Sequence, residues 1–159
     1  MAKKNTTSVR KTQQSTLDLA VPVSDRVSIR QVLLVETHAI RKPRIETLPK
    51  NVTINAHVDA RALRDSNALE VLARFSLRGL AKGGDDNVVL RIEAAFVLIY
   101  EVPSFDGLQP PNIKAFGEMN GIYNAWPYWR EYVQSVTVRM GLPPFTVPVF
   151  RLSASKASR

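Results

Sequence analysis

The side chains in this sequence that could do chemistry are few. There are two histidines, His38 and His57, and no cysteine, which excludes disulfides and thiolate metal sites. His57 and Asp59 lie two residues apart in an alternating segment and could share one strand face, but that gives only half of a metal site. Both histidines are better explained as residues on the wet faces of strands. We therefore expect no metal and no cofactor.

Two motifs that often carry catalysis are also missing from the sequence. The pair Gly83 and Gly84 is followed by Asp85 and Asp86, not by Lys and Ser or Thr, so it predicts a hairpin turn and not a phosphate-binding loop. No Gly-x-Ser-x-Gly motif is present. Since no motif brings a nucleophile, an acid and a base together, we predict that the protein is not an enzyme.

The formal net charge of +8 lies mostly at the two ends of the chain. Seven basic residues there have no acid among them: Lys3, Lys4, Arg10, Lys11, Arg151, Lys156 and Arg159. The middle of the chain is nearly neutral, whereas a nucleic-acid-binding domain usually carries its charge on a folded face. We expect weak binding of polyanions at most, and no sequence-specific recognition of nucleic acid.

Composition also predicts the domain organisation. The polar, basic ends indicate a disordered tail over residues 1–24 and a short basic tail over 151–159, with one domain over 25–150. The N-terminus has no apolar stretch typical of a secretion signal, and the longest apolar run, Ala94–Tyr100, is far shorter than the roughly 20 residues that span a bilayer. We expect a soluble, cytoplasmic protein that does not enter the membrane.

Alternation of apolar and polar residues predicts three successive strands. They run from Val52 to Ala62, from Leu69 to Leu77 and from Val88 to Tyr100, and short polar turns between them imply antiparallel neighbours. An earlier strand, Val27–Ala39, is less regular, because Val32–Val35 is apolar on both faces. That pattern indicates either a bulge or a strand covered on both sides.

Two helices are predicted after the strands. Apolar residues at helical spacing predict the first from Asn112 to about Tyr123, weakened by its glycines. The second begins at Pro127, with Asn124 as its cap, and ends at Gly141. The predicted fold class is therefore α+β, a four-stranded antiparallel meander sheet followed by two helices packed on one side.

Large apolar side chains are more numerous around these helices than one sheet and two helices can cover. They are Phe105, Leu108, Phe116, Met119, Tyr123, Trp126, Tyr128 and Trp129. Uncovered apolar surface of this extent usually meets a subunit or a ligand. It favours an oligomer with a binding groove.

The segment Trp126–Phe150 resembles the C-terminal signature of the SecB protein-export chaperones. It opens with Trp-Pro-Tyr and Arg-Glu, and it ends with Gly-Leu-Pro-Pro and an apolar Pro-Val run. The segment Leu69–Arg78 and the order of elements extend the resemblance over most of the chain. The resemblance implies an ATP-independent homotetramer, a dimer of dimers, that holds unfolded client proteins in apolar grooves. The residues predicted to line that groove are Leu33, Val35, Phe105, Leu108, Ile113, Phe116, Met119, Tyr123 and Trp126.

Two departures from that family bear on the partner. Export-dedicated members carry acidic residues on the exposed sheet face and an acidic or apolar tail, which meet the SecA motor. Here the wet strand faces contain Arg61, Arg74, Arg78 and Arg91, and the tail is basic. These departures point away from SecA and towards the divergent relatives that hold an antitoxin in toxin–antitoxin systems. The alternative function is a structural or polyanion-binding oligomer that uses the basic tails.

Overall fold

Four long strands form one antiparallel sheet in the computed structural model, which describes residues 15–43, 45–81 and 87–151. The strands are β1 (Ser28–Arg41), β2 (Asn51–Leu63), β3 (Ala68–Leu80) and β4 (Val88–Glu101). Each includes the segment that its apolar alternation predicts, apart from one residue at the start of β1. The predicted α+β class is confirmed.

The strands lie in the order β1-β4-β3-β2. The predicted meander therefore covers β2 to β4, and β1 lies beside β4 instead of beside β2, which is a Greek-key order. The connection over residues 42–50 explains the difference, because it contains Pro43 and Pro49 and is longer than a hairpin loop. It allows β1 to reach the far side of the sheet.

Strand β1 is an edge strand with two irregularities in its pairing to β4. They fall between Ile29 and Gln31 and between Leu34 and Glu36. The second lies in the segment that is apolar on both faces, so the bulge is the correct one of the two explanations. Within this subunit β1 is exposed along almost its whole length.

The two predicted helices form one continuous helical segment. Helix α2 (Pro110–Phe116) continues through a π-helical segment, Gly117–Gly121, into α3 (Ile122–Arg139). The predicted start at Pro127 is wrong, since Pro127 lies inside α3, where a proline costs about 3 kcal/mol. Asn124 does not cap the helix, and its side chain instead donates a hydrogen bond to the hydroxyl of Tyr100 (3.0 Å).

A helix that the sequence analysis did not predict, α1 (Thr16–Ser24), precedes the sheet. Ser15 accepts a hydrogen bond from the amide of Asp18, and the Asp18 carboxylate accepts one from the amide of Ser15, which is a capping box. Ala20 and Val23 are buried in the core. The prediction of a disordered tail is therefore wrong for residues 15–24, while residues 1–14 and 152–159 lie outside the described part of the chain.

The core lies between one face of the sheet and the helices. Val71 and Phe75 on β3 are buried, as are Ala125 and Trp129 on α3. The ring of Phe75 stacks on that of Trp129, with 5.4 Å between the ring centroids. The alternate strand residues point away from the helices and form what we call the open face of the sheet. Across 15–43, 45–81 and 87–151, no helix has the length and apolar character needed to cross a membrane.

Candidate functional site

A groove of about 520 Å³ opens between the start of β1, α3 and the segment that follows α3. We call it the aromatic groove, and its apolar lining includes Ile29, Tyr123, Trp126, Tyr128, Val149 and Phe150. Tyr123 and Tyr128 are 55% and 48% exposed, so their rings are available to a ligand. Tyrosine and tryptophan offer large contact areas with few rotatable bonds, which suits them to binding polypeptide.

Two hydrogen bonds from α3 hold the outer wall of the aromatic groove. The indole nitrogen of Trp126 donates to the carbonyl of Pro148 (2.8 Å), and Nε of Arg130 donates to the carbonyl of Val147 (2.9 Å). The ring of Trp126 also packs on Phe150 at 5.2 Å. The C-terminal segment thus becomes a fixed wall although it has no regular secondary structure.

Residues at the end of α3 direct the following segment back into the position of that wall. Gly141 has φ +72°, the left-handed conformation that ends many helices, which confirms its predicted role as the stop. The hydroxyl of Thr137, which is fully buried, then accepts a hydrogen bond from the amide of Phe145 (3.1 Å). The chain is turned back along α3 in this way.

The floor of the aromatic groove includes Asn124, which connects it to the core. Burial raises the pKa of Tyr100 to about 12, and the hydrogen bond from Asn124 opposes that rise only in part. Tyr100 therefore stays protonated at any physiological pH. The aromatic groove has one charged lining residue, Arg130, whose Nε is already bonded, so its chemistry is apolar burial and not acid–base catalysis.

A second groove of about 680 Å³ lies between β2 and the start of α2. We call it the edge groove, because β2 is the outer strand of the sheet on that side. Its apolar lining includes Ala60, Ala62 and Ile113, and three of its lining residues are cationic, namely Arg61, Arg64 and Lys114. With Asp59 it has four charged lining residues, whereas the aromatic groove has one.

The predicted site residues separate into four places, namely the two grooves, strand β1 and the core. Tyr123 and Trp126 line the aromatic groove, and Ile113 lines the edge groove. Leu33 and Val35 are exposed on β1, apart from both grooves. The structure thus brings together two of the nine residues in the aromatic groove.

Five of the nine predicted residues lie in or against the core, including Ile113, which lines the edge groove but is only 6% exposed. Phe105, Leu108 and Phe116 are 7%, 2% and 1% exposed, and Met119 is partly buried against the core. The ring of Phe116 meets Tyr100 edge-on at 5.0 Å. A polypeptide ligand cannot reach these three buried side chains in this conformation, so we remove them from the candidate site.

The sequence reasoning missed seven of the nine lining residues of the aromatic groove, including Ile29, Tyr128, Val149 and Phe150. Tyr128 is one of the large apolar residues that the sequence analysis found to be in excess around the helices. Val149 and Phe150 are at the end of the proline-rich apolar segment. The signal that pointed to them was the apolar run after Gly141, which has prolines at three positions and cannot form a core helix. Ile29 gave no signal of its own.

The histidines lie on the open face, around a polar depression of about 280 Å³ that Glu36 and Glu93 also line. Nε2 of His57 is 3.5 Å from Oδ1 of Asp59, so these two residues do share a face. The other oxygen of Asp59 accepts a hydrogen bond from Arg74 at 2.9 Å. Within the described ranges, no group of three or more side chains of the metal-binding types is close enough to hold an ion.

Comparison with known proteins gives a structural match and no sequence match. No protein-family model matches the chain, and no curated protein sequence does so either. The solved SecB-like chaperone Rv1957 of Mycobacterium tuberculosis, in complex with a ChAD peptide from the HigA1 antitoxin, superposes with a TM-score of 0.69 at 23% identity. The match covers 86% of this chain and 98% of that one. The predicted resemblance is confirmed at the level of the fold.

A second solved structure is more distant. It is a protein of unknown function from Streptococcus agalactiae, with a TM-score of 0.40 at 13% identity, covering 77% of this chain and 96% of that one. At that similarity it carries no information on function.

Proposed function

We propose that this chain, which has the fold of a SecB-like chaperone, is an ATP-independent holdase of the cytoplasm. It binds non-native polypeptides by burying their apolar side chains, and it releases them without chemical change. No catalytic step is part of this function, and no cofactor is needed.

The observation that carries the proposal is the aromatic groove. Tyr123 and Tyr128 stand half exposed beside Trp126, on a wall that two hydrogen bonds fix in place. A pre-formed apolar groove loses little conformational freedom when it binds, and aromatic side chains accept many apolar partners. Both properties suit a protein whose clients are all unfolded but have no sequence in common.

The client we propose is an aggregation-prone protein such as an antitoxin or a preprotein. The M. tuberculosis neighbour is solved with an antitoxin peptide, which supports an antitoxin as the first protein to test. The open face supports SecA less, because Arg61 and Arg74 there are engaged with Glu70 and Asp59, which reduces the free acidic surface.

We further propose that β1 mediates assembly. It is an edge strand, and Leu33, Leu34 and Val35 are exposed on it. Antiparallel pairing with β1 of a second copy would satisfy its free backbone groups and cover these side chains. Leu33 and Val35 thus fit subunit contact better than client binding. Two such dimers would form the tetramer that the resemblance implies.

The test is suppression of the aggregation of a chemically denatured model protein. We expect Tyr123→Ser with Tyr128→Ser to weaken protection roughly tenfold, because each change removes an exposed aromatic anchor. Val138→Ser is the matched control, since Val138 is also exposed on α3 (55%) but does not line the aromatic groove. Equal protection by the double variant and the wild type, with both folded, would refute the aromatic groove as the client site.

A further inference from the structure

Two arginines lie directly opposite one another on the open face of the sheet. Arg78 on β3 pairs in register with Arg91 on β4. Like charges directly opposite in a sheet destabilise it. Arg91 has only a long ion pair, 3.8 Å from Nε to Oε1 of Glu93, and in the described ranges no ion pair involves Arg78. Among the described residues, neither arginine therefore has a close carboxylate partner.

The pair belongs to a positively charged end of the sheet. Register brings the end of β1, the starts of β2 and β4 and the end of β3 together there. The cations at this end are Arg41, Lys42, Lys50, Arg78 and Arg91, and the acids are Glu46 and Glu93. We call this set the cationic end, and its formal charge is +3.

Residues outside the described ranges do not change that balance. The connections that adjoin the cationic end contribute Arg44 and Lys82, and they also contribute Asp85 and Asp86. Two positive and two negative charges cancel. The formal charge of +3 counted for the cationic end therefore stays the same when these four residues are included.

Elsewhere on the open face the described arginines are paired with carboxylates, and Glu36 adds a further negative charge. Arg61 donates to Glu70 at 2.7 Å, and Arg74 donates to Asp59 at 2.9 Å. Among the described residues of the open face, guanidinium groups outnumber carboxylates only at the cationic end. Beside them Ile40, which pairs in register with Arg91, is 49% exposed.

We propose that the cationic end binds an acidic, partly apolar segment of a partner protein. Carboxylates of the partner bridge Arg78 and Arg91, because a planar guanidinium binds a carboxylate through two parallel hydrogen bonds. An apolar side chain of the partner covers Ile40. Arg78, Arg91 and Ile40 lie on the opposite side of the sheet from the helices, so a partner there and a client in the aromatic groove can be bound together.

An acidic protein segment fits this surface better than a nucleic acid. The registered positions of the open face include no Phe, Tyr or Trp on which a base could stack. Phosphates would neutralise the arginines but leave Ile40 uncovered. The combination of paired arginines and an exposed isoleucine matches a segment in which acidic and apolar residues alternate.

The experiment is fluorescence anisotropy of the full chain with a short labelled peptide in which Glu and Leu alternate. We expect Arg78→Gln with Arg91→Gln to weaken binding at least about tenfold, because hydrogen bonds between charged groups are lost. The control is Arg61→Gln with Arg74→Gln on the same face, which should change affinity less than about twofold because these arginines are already paired. Wild-type binding should weaken as salt rises, and this slope should flatten in the Arg78/Arg91 variant.

Three results would overturn the proposal. The first is an equal loss in both double variants, which would make the effect one of net charge alone. The second is equal affinity for the peptide with Gln in place of Glu. The third is tighter binding of a single-stranded oligonucleotide than of the peptide. Protection of a client that lacks acidic residues should be the same in the Arg78/Arg91 variant as in the wild type, which separates this surface from the aromatic groove.

Discussion

Gly121 lies so close to Val71 that a Cβ atom at position 121 would be 2.6 Å from Cγ1 of Val71. This contact seats the π-helical segment on β3. We predict that Gly121→Ala destabilises the protein by about 1–3 kcal/mol through overpacking, although alanine favours a helix by about 1 kcal/mol. Urea unfolding followed by circular dichroism measures the change in the free energy of unfolding.

A second substitution identifies the cause of that loss. Val71→Ala removes the atom that the new methyl group meets, so the cost of Gly121→Ala should fall sharply in the Val71→Ala background. If Gly121→Ala instead stabilises the protein, helix propensity outweighs the contact and the close approach is not limiting.

Trp126→Phe should loosen the wall of the aromatic groove. It keeps an aromatic ring but removes the donor to the Pro148 carbonyl, a loss of about 1 kcal/mol. We expect faster hydrogen exchange over residues 145–151 and weaker client binding, with little change in the rest of the sheet.

The matched control is Trp129→Phe. The indole nitrogen of Trp129 is buried and has no hydrogen-bond partner among the described residues, so this change removes no hydrogen bond. It should lower global stability through lost packing and leave exchange of the C-terminal segment no faster than that of the core. Identical exchange patterns in the two variants would contradict the role given to Trp126.

Stability should fall between pH 10 and pH 12 because of Tyr100. Its pKa is about 12 in the folded protein and about 10 when unfolded, so the folded state holds the proton more tightly. The stabilisation is complete below pH 10 and is lost as pH rises through 12, an effect on the order of 2 kcal/mol. Chemical unfolding at several pH values should show this decline, and Tyr100→Phe should flatten it. Absorbance titration should show one of the four tyrosines ionising last.

Leu33→Asp should break the assembly that we propose. A charge on the apolar edge strand opposes pairing with a second copy, so light scattering should show a smaller particle than the wild type at the same concentration. Leu17→Asp, at an exposed site on α1, is the control and should leave the particle size unchanged. A wild type that is already monomeric at micromolar concentration would contradict the proposal directly.

Phe105→Ser and Leu108→Ser should unfold the protein and not merely weaken binding. Both side chains are buried, so each change should cost about 2–5 kcal/mol of stability. Thermal unfolding measures the loss. The sequence predicted that Phe105 and Leu108 line a client groove, and their burial gives them a role in the core instead.

The strands could be predicted because each presents a simple alternation. Val52–Ala62 alternates strictly, Val88–Tyr100 is apolar at every even position, and the short turns between neighbours leave little choice of partner. The place of β1 could not be predicted in this way, because a connection with two prolines permits either edge. Pairing over such a distance depends on tertiary packing, which a local pattern does not contain.

In the helices, tertiary packing overrides the local sequence rules for where a helix begins. Pro127 is a sound helix start by its own chemistry, yet burial of Ala125 and Trp129 on either side keeps the helix continuous through it. For the same reason, the sequence predicted that a groove exists but not all of the residues that line the aromatic groove. Surplus aromatic residues indicated that a groove exists, but which of them face it depends on how the segment after Gly141 packs against α3.

The order of strands also has a consequence for how the chain acquires its fold. Ser28 at the start of β1 pairs with Glu101 at the end of β4, so the first strand to leave the ribosome finds its partner last. Strands β2, β3 and β4 are neighbours in sequence and can pair as soon as the turns between them form. Strand β1 stays unpaired until β4 is available, and Ile29, Leu33 and Leu34 are exposed until then. Long-range pairing of this kind slows folding. We expect β1 to dock in the slowest phase, and a nascent chain stopped before β4 to need protection from aggregation itself.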